Sequence, residues 1–274
     1  MSTVVARVDV ELVRRGLARS RGEAGQLIAA GRVRLDGSRV VRASAAVEPE
    51  RVLVVEPDAQ DPGYASRAGH KLAGALDVWQ SRGLAVAGRR CLDAGASTGG
   101  FTDVLLRRGA ASVVAVDVGH GQLRPELRSD PRVDVREGVN VRDLVAGDVQ
   151  PPPELVVADL SFISLRLVVA PLSAVAAPGA DLVLLVKPQF EVGRERLGSG
   201  GVVRSPALRR GAVLGVLEAA EAADLTPVDL LRSVLPGPSG NVEYLMRLVA
   251  PGAAGRVEPM PVGRVDSVVL EEDA

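Results

Sequence analysis

The stretch Arg90-Cys91-Leu92-Asp93-Ala94-Gly95-Ala96-Ser97-Thr98-Gly99-Gly100-Phe101 decides how this chain folds. It runs from a short apolar strand through a loop of small residues into the start of a helix. A strand, a glycine-rich loop and a helix in that order let a ligand approach bare backbone where the helix begins. Ser97 stands where the dinucleotide fingerprint G-x-G-x-x-G has its second glycine, and no lysine follows as a phosphate-binding loop requires, so pyrophosphate is not the expected ligand. Further apolar runs lie at Ser112–Val116, Val133–Val135, Leu155–Ala158 and Leu182–Val186, then around 228–234 and 243–249, with helical segments between most of them. Strands spaced by helices predict an α/β domain with a mainly parallel sheet covered on both faces, which places ligands beyond the carboxyl ends of the strands.

The residues just after those strands are therefore the candidates for chemistry. Asp117 follows Gly95 by 22 residues, the spacing of a carboxylate that holds ribose hydroxyls, and Asn140 in Glu137-Gly138-Val139-Asn140 is placed to flank an adenine. With the loop carboxylate Asp93, this set fits S-adenosylmethionine better than NAD. The cofactor-binding residues expected are Asp93, Gly95, Ala96, Ser97, Thr98, Gly99, Gly100, Phe101, Asp117, Asn140 and Asp159. Asp159-Leu160-Ser161-Phe162 lacks the Pro-Pro-aromatic signature of amino-group methylation. Cys91, at the start of its strand, is badly placed for cytosine C5 attack. What remains resembles a hydroxyl methylation site.

Of 33 basic residues only Lys71 and Lys187 are lysines. Arginine stays charged, whereas a lysine can lose its proton when burial or nearby cations favour the amine. Lys71, Asp159, Lys187 and Glu243 all fall at ligand-facing ends of the expected sheet and form the candidate catalytic set.

Composition bounds the rest. A chain of 274 residues, 47% hydrophobic, holds one large domain or one large and one small. One cysteine excludes an intramolecular disulfide and thiolate metal sites, which points to a reducing cytoplasm. No metal is expected. Charges at Arg7, Asp9 and Glu11 do not fit a secretory signal, and the apolar window 167–186 is broken by Pro171, Pro178, Gly179 and Asp181. No membrane association is therefore expected.

Residues 1–45 carry nine arginines against four acids, a basic segment suited to a polyanion. Asp9 is expected to cap a short helix ending at Gly16, and Ser20-Arg21-Gly22-Glu23 has the form of a capping box opening a second. Val33–Leu35, the turn Asp36-Gly37 and a return strand near Val40 follow. Arg7, Arg14, Arg15, Arg19 and Arg21, with Arg67 further on, are the expected RNA contacts. The domain boundaries expected are 1–60, a linker at 61–69, a catalytic domain at 70–250, and a loosely ordered tail at 251–274 in which Val265–Leu270 adds an edge strand.

The order of elements at 7–56, with R-x-D, S-R-x-x-A and G-x-V-x-L-D-G, resembles the S4 RNA-binding domain. Ser66-Arg67 with His70-Lys71-Leu72, DAGASTGGFTDVLL, VDVGHGQL, DLSFISL, KPQFE and NVEYL resemble the TlyA family of ribosomal RNA methyltransferases, which also carry the haemolysin name. His120 stands where that family commonly has an aromatic, and Tyr64 near its linker tryptophan. The resemblance implies a class I, Rossmann-like methyltransferase domain behind an α+β S4 domain, with S-adenosyl-L-methionine as cofactor and ribosomal RNA or ribosomal subunits as partner. It matches Lys71, Asp159, Lys187 and Glu243 to the Lys-Asp-Lys-Glu tetrad of the related FtsJ/RrmJ ribose methyltransferases. It further implies methylation of cytidine 2'-hydroxyls in 16S rRNA, 23S rRNA or both, and sensitivity to capreomycin-type antibiotics. Lys187 is the expected base, with Lys71 and a sulfonium favouring its amine and the two carboxylates opposing. A pore-forming haemolysin or an inert RNA-binding module is the alternative; neither gives a role to an intact cofactor loop beside four catalytic-type side chains.

Overall fold

The computed structural model describes residues 5–18, 20–56, 62–253 and 257–270, and the chain divides into two compact units, Met1–Gly63 and Tyr64–Ala274. In the first, β1 (Ala6–Arg7) runs straight into α1 (Val8–Arg14). Ser20 opens α2 (Arg21–Ala29), its Oγ accepting from the Glu23 amide at 3.2 Å and satisfying one of the helix's unpaired donors. β2 (Val33–Leu35) returns as β3 (Ser38–Arg39) through Asp36 and Gly37, at φ 48° and 79°, the doubly left-handed backbone of a tight hairpin. β4 (Ala46–Val47) pairs with β1, and β5 (Leu53–Val55) with β2. Val8, Leu12, Ala24, Ile28, Val33 and Val47 make the core between them.

Asp9 does not cap α1. It lies inside the helix, buried, because its carboxylate is drawn to Arg7 and Arg21, each 2.9 Å away; the N-cap is Arg7. Arg19 lies outside the described residues.

The second unit starts with α3 (Arg67–Gln80), three residues earlier than the sequence suggests. Ser66 takes the extended conformation of an N-cap, and the Ala65 amide donates to Asp103 Oδ2 at 2.8 Å, so the expected linker at 61–69 loses its last residues to the helix. There follow β6 (Arg90–Ala94), α4 (Gly100–Arg107), β7 (Ser112–Asp117), α5 (Pro125–Arg128), β8 (Val133–Glu137) and β9 (Leu155–Ala158). The chain goes on through α6 (Val169–Val175), β10 (Asp181–Val186), α7 (Pro188–Glu191), α8 (Pro206–Ala222), β11 (Thr226–Arg232), β12 (Tyr244–Val249) and α9 (Arg264–Val269). The strands form one sheet in the order β11-β12-β10-β9-β6-β7-β8, parallel except for β12, which runs against both its neighbours.

From β6 the chain builds outward through β7 and β8; from β9 it builds the other way. The order therefore reverses between β6 and β9, and the crevice at their carboxyl ends is where a doubly wound sheet binds its ligand. Every residue of β9 and β10 is buried, which is why those strands read as unbroken apolar runs rather than alternating ones. One apolar cluster, with Leu92, Val156 and Leu184, packs under α6, α8 and α9; the other, with Val113, Val157 and Val183, packs under α3 and α4. Trp79 closes the second, fully buried, its Nε1 donating to Asp229 at 2.9 Å.

The tail departs from expectation. Val265–Leu270 forms no edge strand, because Val265, Val268 and Val269 recur at i, i+3 and i+4 and all three bury as one face of α9. Arg264 and Asp266 anchor that helix on Asp229 and Arg210, at 2.9 and 2.5 Å.

Candidate active site

The loop after β6 carries two features that only its sequence permits. Gly95 is left-handed at φ 84°, and a Cβ there would lie 2.8 Å from the carbonyl oxygen of Asp159. Gly99, at φ 96°, precedes α4, and a Cβ on it would lie 2.2 Å from Leu127 Cδ1. The loop is thus pressed against the residue that follows β9, and the tie is mutual, since the Asp159 amide donates to Ala94 O at 3.1 Å. Asp117, ending β7, accepts from the Ser97 amide at 2.8 Å with Oδ2 and from the Gly119 amide at 2.7 Å with Oδ1, which fixes the loop's outer edge.

Beside this loop opens a cavity of about 860 Å³, within the range of cofactor sites. Gly95, Ala96, Ser97, Thr98, Gly100, Phe101 and Asp159 line it, as do Lys71, Lys187, Glu243 and Arg67. Asp93, Gly99, Asp117 and Asn140 are not among the lining residues. Asp93 lies fully buried below the loop, one oxygen accepting from Thr102 Oγ1 at 2.6 Å and the other without a partner among the described residues; burial pushes its carboxyl up to about 7. Asn140 caps a short 3₁₀ turn by accepting from the Arg142 amide at 3.1 Å. Cys91, buried, has its thiol pushed up to about 12, which keeps it in the unreactive form.

The four candidate catalytic residues come from three strand ends and one helix. Lys71 lies on α3, Asp159 follows β9, Lys187 follows β10 and Glu243 precedes β12. They meet as two ion pairs. Lys71 Nζ is 2.5 Å from Glu243 Oε2, the two side chains 7% and 1% exposed. Lys187 Nζ is 2.6 Å from Asp159 Oδ1 and donates to Ser161 Oγ at 2.9 Å. Pro188 at the first position of α7 stops β10 and turns the chain, leaving Lys187 at the bend. Buried charges persist only when paired, and each of these ammoniums has a carboxylate.

Three residues of the site carry no role in the sequence reading, though each lies within a quoted motif. Ser161 bonds Lys187; Gln189 Nε2 donates to Glu243 Oε1 at 3.2 Å; Phe162, 92% exposed and left-handed at φ 64°, sets its ring 5.3 Å from Phe190 on the cavity wall. Residue identity gave no signal for them because their roles depend on which neighbours the strand ends bring near. Tyr64 packs within the second unit, its ring 5.1 Å from that of His70 and 5.2 Å from the Arg107 guanidinium carbon. His120 lies against Gly138, in the loop after β8.

In the first unit the expected RNA contacts are not free charges. Arg7 and Arg21 pair with Asp9; Arg14 and Arg15 pair with Glu11 at 2.5 and 2.6 Å. The hydrogen bond from Arg7 holds the Asp9 carboxyl at about 2, and that from Arg14 does the same for Glu11. Arg15 is further tied to the backbone of Arg51, Glu48 and Pro49, whereas Arg7, Arg14 and Arg21 keep at least half of their side-chain surface exposed.

A reversed doubly wound sheet, a glycine loop pressed on its switch point and paired lysines at the strand ends define a Rossmann-like methyltransferase. The chain belongs to the FtsJ-like methyltransferase family, matched over residues 64–249, and residues 6–53 match the S4 domain. It is 55% identical over 243 residues, 89% of each chain, to the 16S/23S rRNA (cytidine-2'-O)-methyltransferase TlyA of Mycobacterium tuberculosis. It is 36% identical to Hemolysin A of Brachyspira hyodysenteriae, over 89% of this chain and 99% of that one. Among solved structures, a Streptococcus thermophilus protein carrying a hemolysin designation superposes with a TM-score of 0.76 at 34% identity, over 99% of this chain and 97% of its own.

Proposed function

We infer that this protein transfers a methyl group from S-adenosylmethionine to the ribose 2'-hydroxyl of cytidine in ribosomal RNA. The observation that carries the reading is the pairing of Lys71 with Glu243 and of Lys187 with Asp159 on the wall of the cavity beside the glycine loop. The residues fit the cofactor. Gly95, Ala96, Ser97, Thr98, Gly100 and Phe101 give the cavity an open loop wall, and Asp117, not itself a lining residue but bonded to the Ser97 amide, keeps a lone pair on each oxygen for a ribose hydroxyl. When bound, S-adenosylmethionine supplies an electrophilic methyl on a sulfonium.

A ribose hydroxyl is a poor nucleophile and must lose its proton as it attacks, so a positioned base is required. Lys187 is that base in this reading. Asp159 and Ser161 hold its Nζ at 2.6 and 2.9 Å, which aims the nitrogen, and the proton from the ribose oxygen goes to it once it is the free amine. Lys71, held by Glu243, positions the ribose. The exposed Phe162 on the same wall gives an unstacked base a ring to lie against. Arg7, Arg14, Arg21 and Arg67 supply phosphate contacts, and Arg15 serves the fold of its own unit. The haemolysin reading gains no support from the helices: among the described residues none is long and apolar enough to cross a membrane.

The test is to incubate the purified chain with labelled S-adenosylmethionine and ribosomal subunits and digest the RNA with alkali. Label in an alkali-resistant dinucleotide beginning with 2'-O-methylcytidine is the expected result; label in a base, or none, refutes it. Modification of 16S and of 23S RNA is read separately, and a strain lacking the protein should tolerate more capreomycin. S-adenosylmethionine should raise the melting temperature, and Asp117→Ala should shrink that rise.

A further inference from the structure

Gln189 lies two residues past Lys187, at the second position of α7, and its side chain reaches across to Glu243. Its amide can face only one way. The Glu243 carboxylate accepts and cannot donate, so Nε2 must point toward it; the reverse orientation would oppose two acceptors. That leaves Gln189 Oε1 buried without a partner among the described residues, on a side chain that lines the cavity. Leucine or methionine in its place would leave the buried Glu243 Oε1 without this donor.

The bond it makes has a consequence for Lys71. Glu243 is 1% exposed and uses one oxygen for each neighbour, Oε2 for Lys71 at 2.5 Å and Oε1 for Gln189 at 3.2 Å. Two contacts on different oxygens fix the plane of the carboxylate. Lys71 has four rotatable bonds, and among the described residues its ammonium makes its hydrogen bond to Glu243 alone. The position of that charge is therefore set by the carboxylate, and the carboxylate by Gln189.

We propose that Gln189 is a positioning residue for methyl transfer: its neutral carboxamide holds Glu243 in the plane that aims Lys71 into the cavity. The inference rests on the ribose-methylation reading above. The charged residues that line the cavity are Lys71, Glu243, Lys187, Asp159, Arg67 and Arg194, and Glu191 of the same short helix as Gln189 is buried with its carboxyl pushed up. A carboxylate in place of the amide would face Glu243 directly. Two carboxylates at such a separation cannot both ionise, so one takes a proton at higher pH than usual.

The experiment compares Gln189→Leu and Gln189→Glu with wild type in the full chain, in single turnovers with saturating RNA and S-adenosylmethionine across pH 5.5 to 8.5. Gln189→Leu should lose roughly 10- to 100-fold in rate at every pH, the scale of a misplaced reacting group, with cofactor affinity within about twofold of wild type. Gln189→Glu, nearly isosteric, should be as slow at high pH, but its rate relative to wild type should climb as pH falls, because the introduced carboxyl, once protonated, donates to Glu243 as the amide does. A pH-independent ratio for Gln189→Glu overturns the proposal. So does a wild-type rate for Gln189→Leu, or a loss of cofactor affinity in both variants that matches the loss of rate. Should Gln189→Leu fold poorly, the pH ratio of Gln189→Glu decides alone. Failure of the wild-type chain to methylate ribose would instead sink the parent reading.

Discussion

Replacing Gly95 with alanine should damage the fold and the site together, by amounts that can be separated. Gly95 is left-handed at φ 84°, which costs any residue with a Cβ about 1–2 kcal/mol. The added carbon would also sit 2.8 Å from the Asp159 carbonyl oxygen and 2.9 Å from Leu160 Cδ2. The leucine can turn aside; the carbonyl belongs to the backbone after β9 and cannot. Overpacking of that kind costs about 1–3 kcal/mol, so Gly95→Ala should destabilise by about 2–5 kcal/mol in all. Gly88 is the control, left-handed at φ 75° with nothing within 4 Å of the place an added methyl would take, so Gly88→Ala bears the conformational cost alone. At about 2–4 °C per kcal/mol for a domain of this size, calorimetry should show Gly88→Ala melting roughly 2–8 °C below wild type and Gly95→Ala lower still. Retreat of Asp159 would also move the carboxylate that lies 2.6 Å from Lys187, so single-turnover methylation at saturating cofactor should fall at least about tenfold in Gly95→Ala only. A Gly95→Ala chain that melts no lower than Gly88→Ala and methylates at the wild-type rate would refute the coupling of loop and lysine.

Lys187→Arg keeps the charge but not the ability to become a free amine, so methyl transfer should be lost with folding and cofactor binding retained, while Lys71→Arg should be milder; near-normal single turnovers by Lys187→Arg would reduce that residue to an electrostatic aid. Arg14→Gln leaves Glu11 paired with Arg15 at 2.6 Å, so the first unit should stay folded while RNA affinity falls and its salt dependence becomes shallower by about 0.7–0.9 in log–log slope. An unchanged slope would show that Arg14 serves Glu11 alone. Asp93, whose carboxyl burial pushes up to about 7, binds its proton more tightly folded than unfolded, so its contribution is largest below the unfolded value near 4 and is lost as pH rises toward 7. Urea denaturation of Asp93→Asn should accordingly change less between pH 5 and pH 7 than that of wild type.

What the sequence made legible were features fixed by local pattern. The unbroken apolar runs of β9 and β10 announce strands buried on both faces, and Gly95 and Gly99 announce a loop where side chains do not fit. The scarcity of lysine singled out Lys71 and Lys187 before any distance was known. The tail failed for a related reason: four apolar residues within Val265–Leu270 suit a strand by composition, and only the i, i+3, i+4 spacing of Val265, Val268 and Val269 against a waiting face of α8 and β11 tips them into α9. Partnership was harder to see than position. Nothing in the order of residues says that Asp9 and Glu11 lie buried among the basic residues of the first unit and take up part of the charge that nine arginines promise an RNA.

The same limit applies at the catalytic end and bears on the chemistry. The four charged residues between positions 71 and 243 that the resemblance matches to one tetrad assemble as two ion pairs, Lys71 with Glu243 and Lys187 with Asp159. The pairs differ in what else they touch. Lys187 donates to the Ser161 hydroxyl besides pairing with Asp159, and that carboxylate belongs to the residue pressed on the glycine loop. Lys71 is bound to a carboxylate that is itself clamped by Gln189 and almost wholly withdrawn from solvent. The two pairings, which the order of residues does not show, are therefore what the comparison of Lys187→Arg with Lys71→Arg probes.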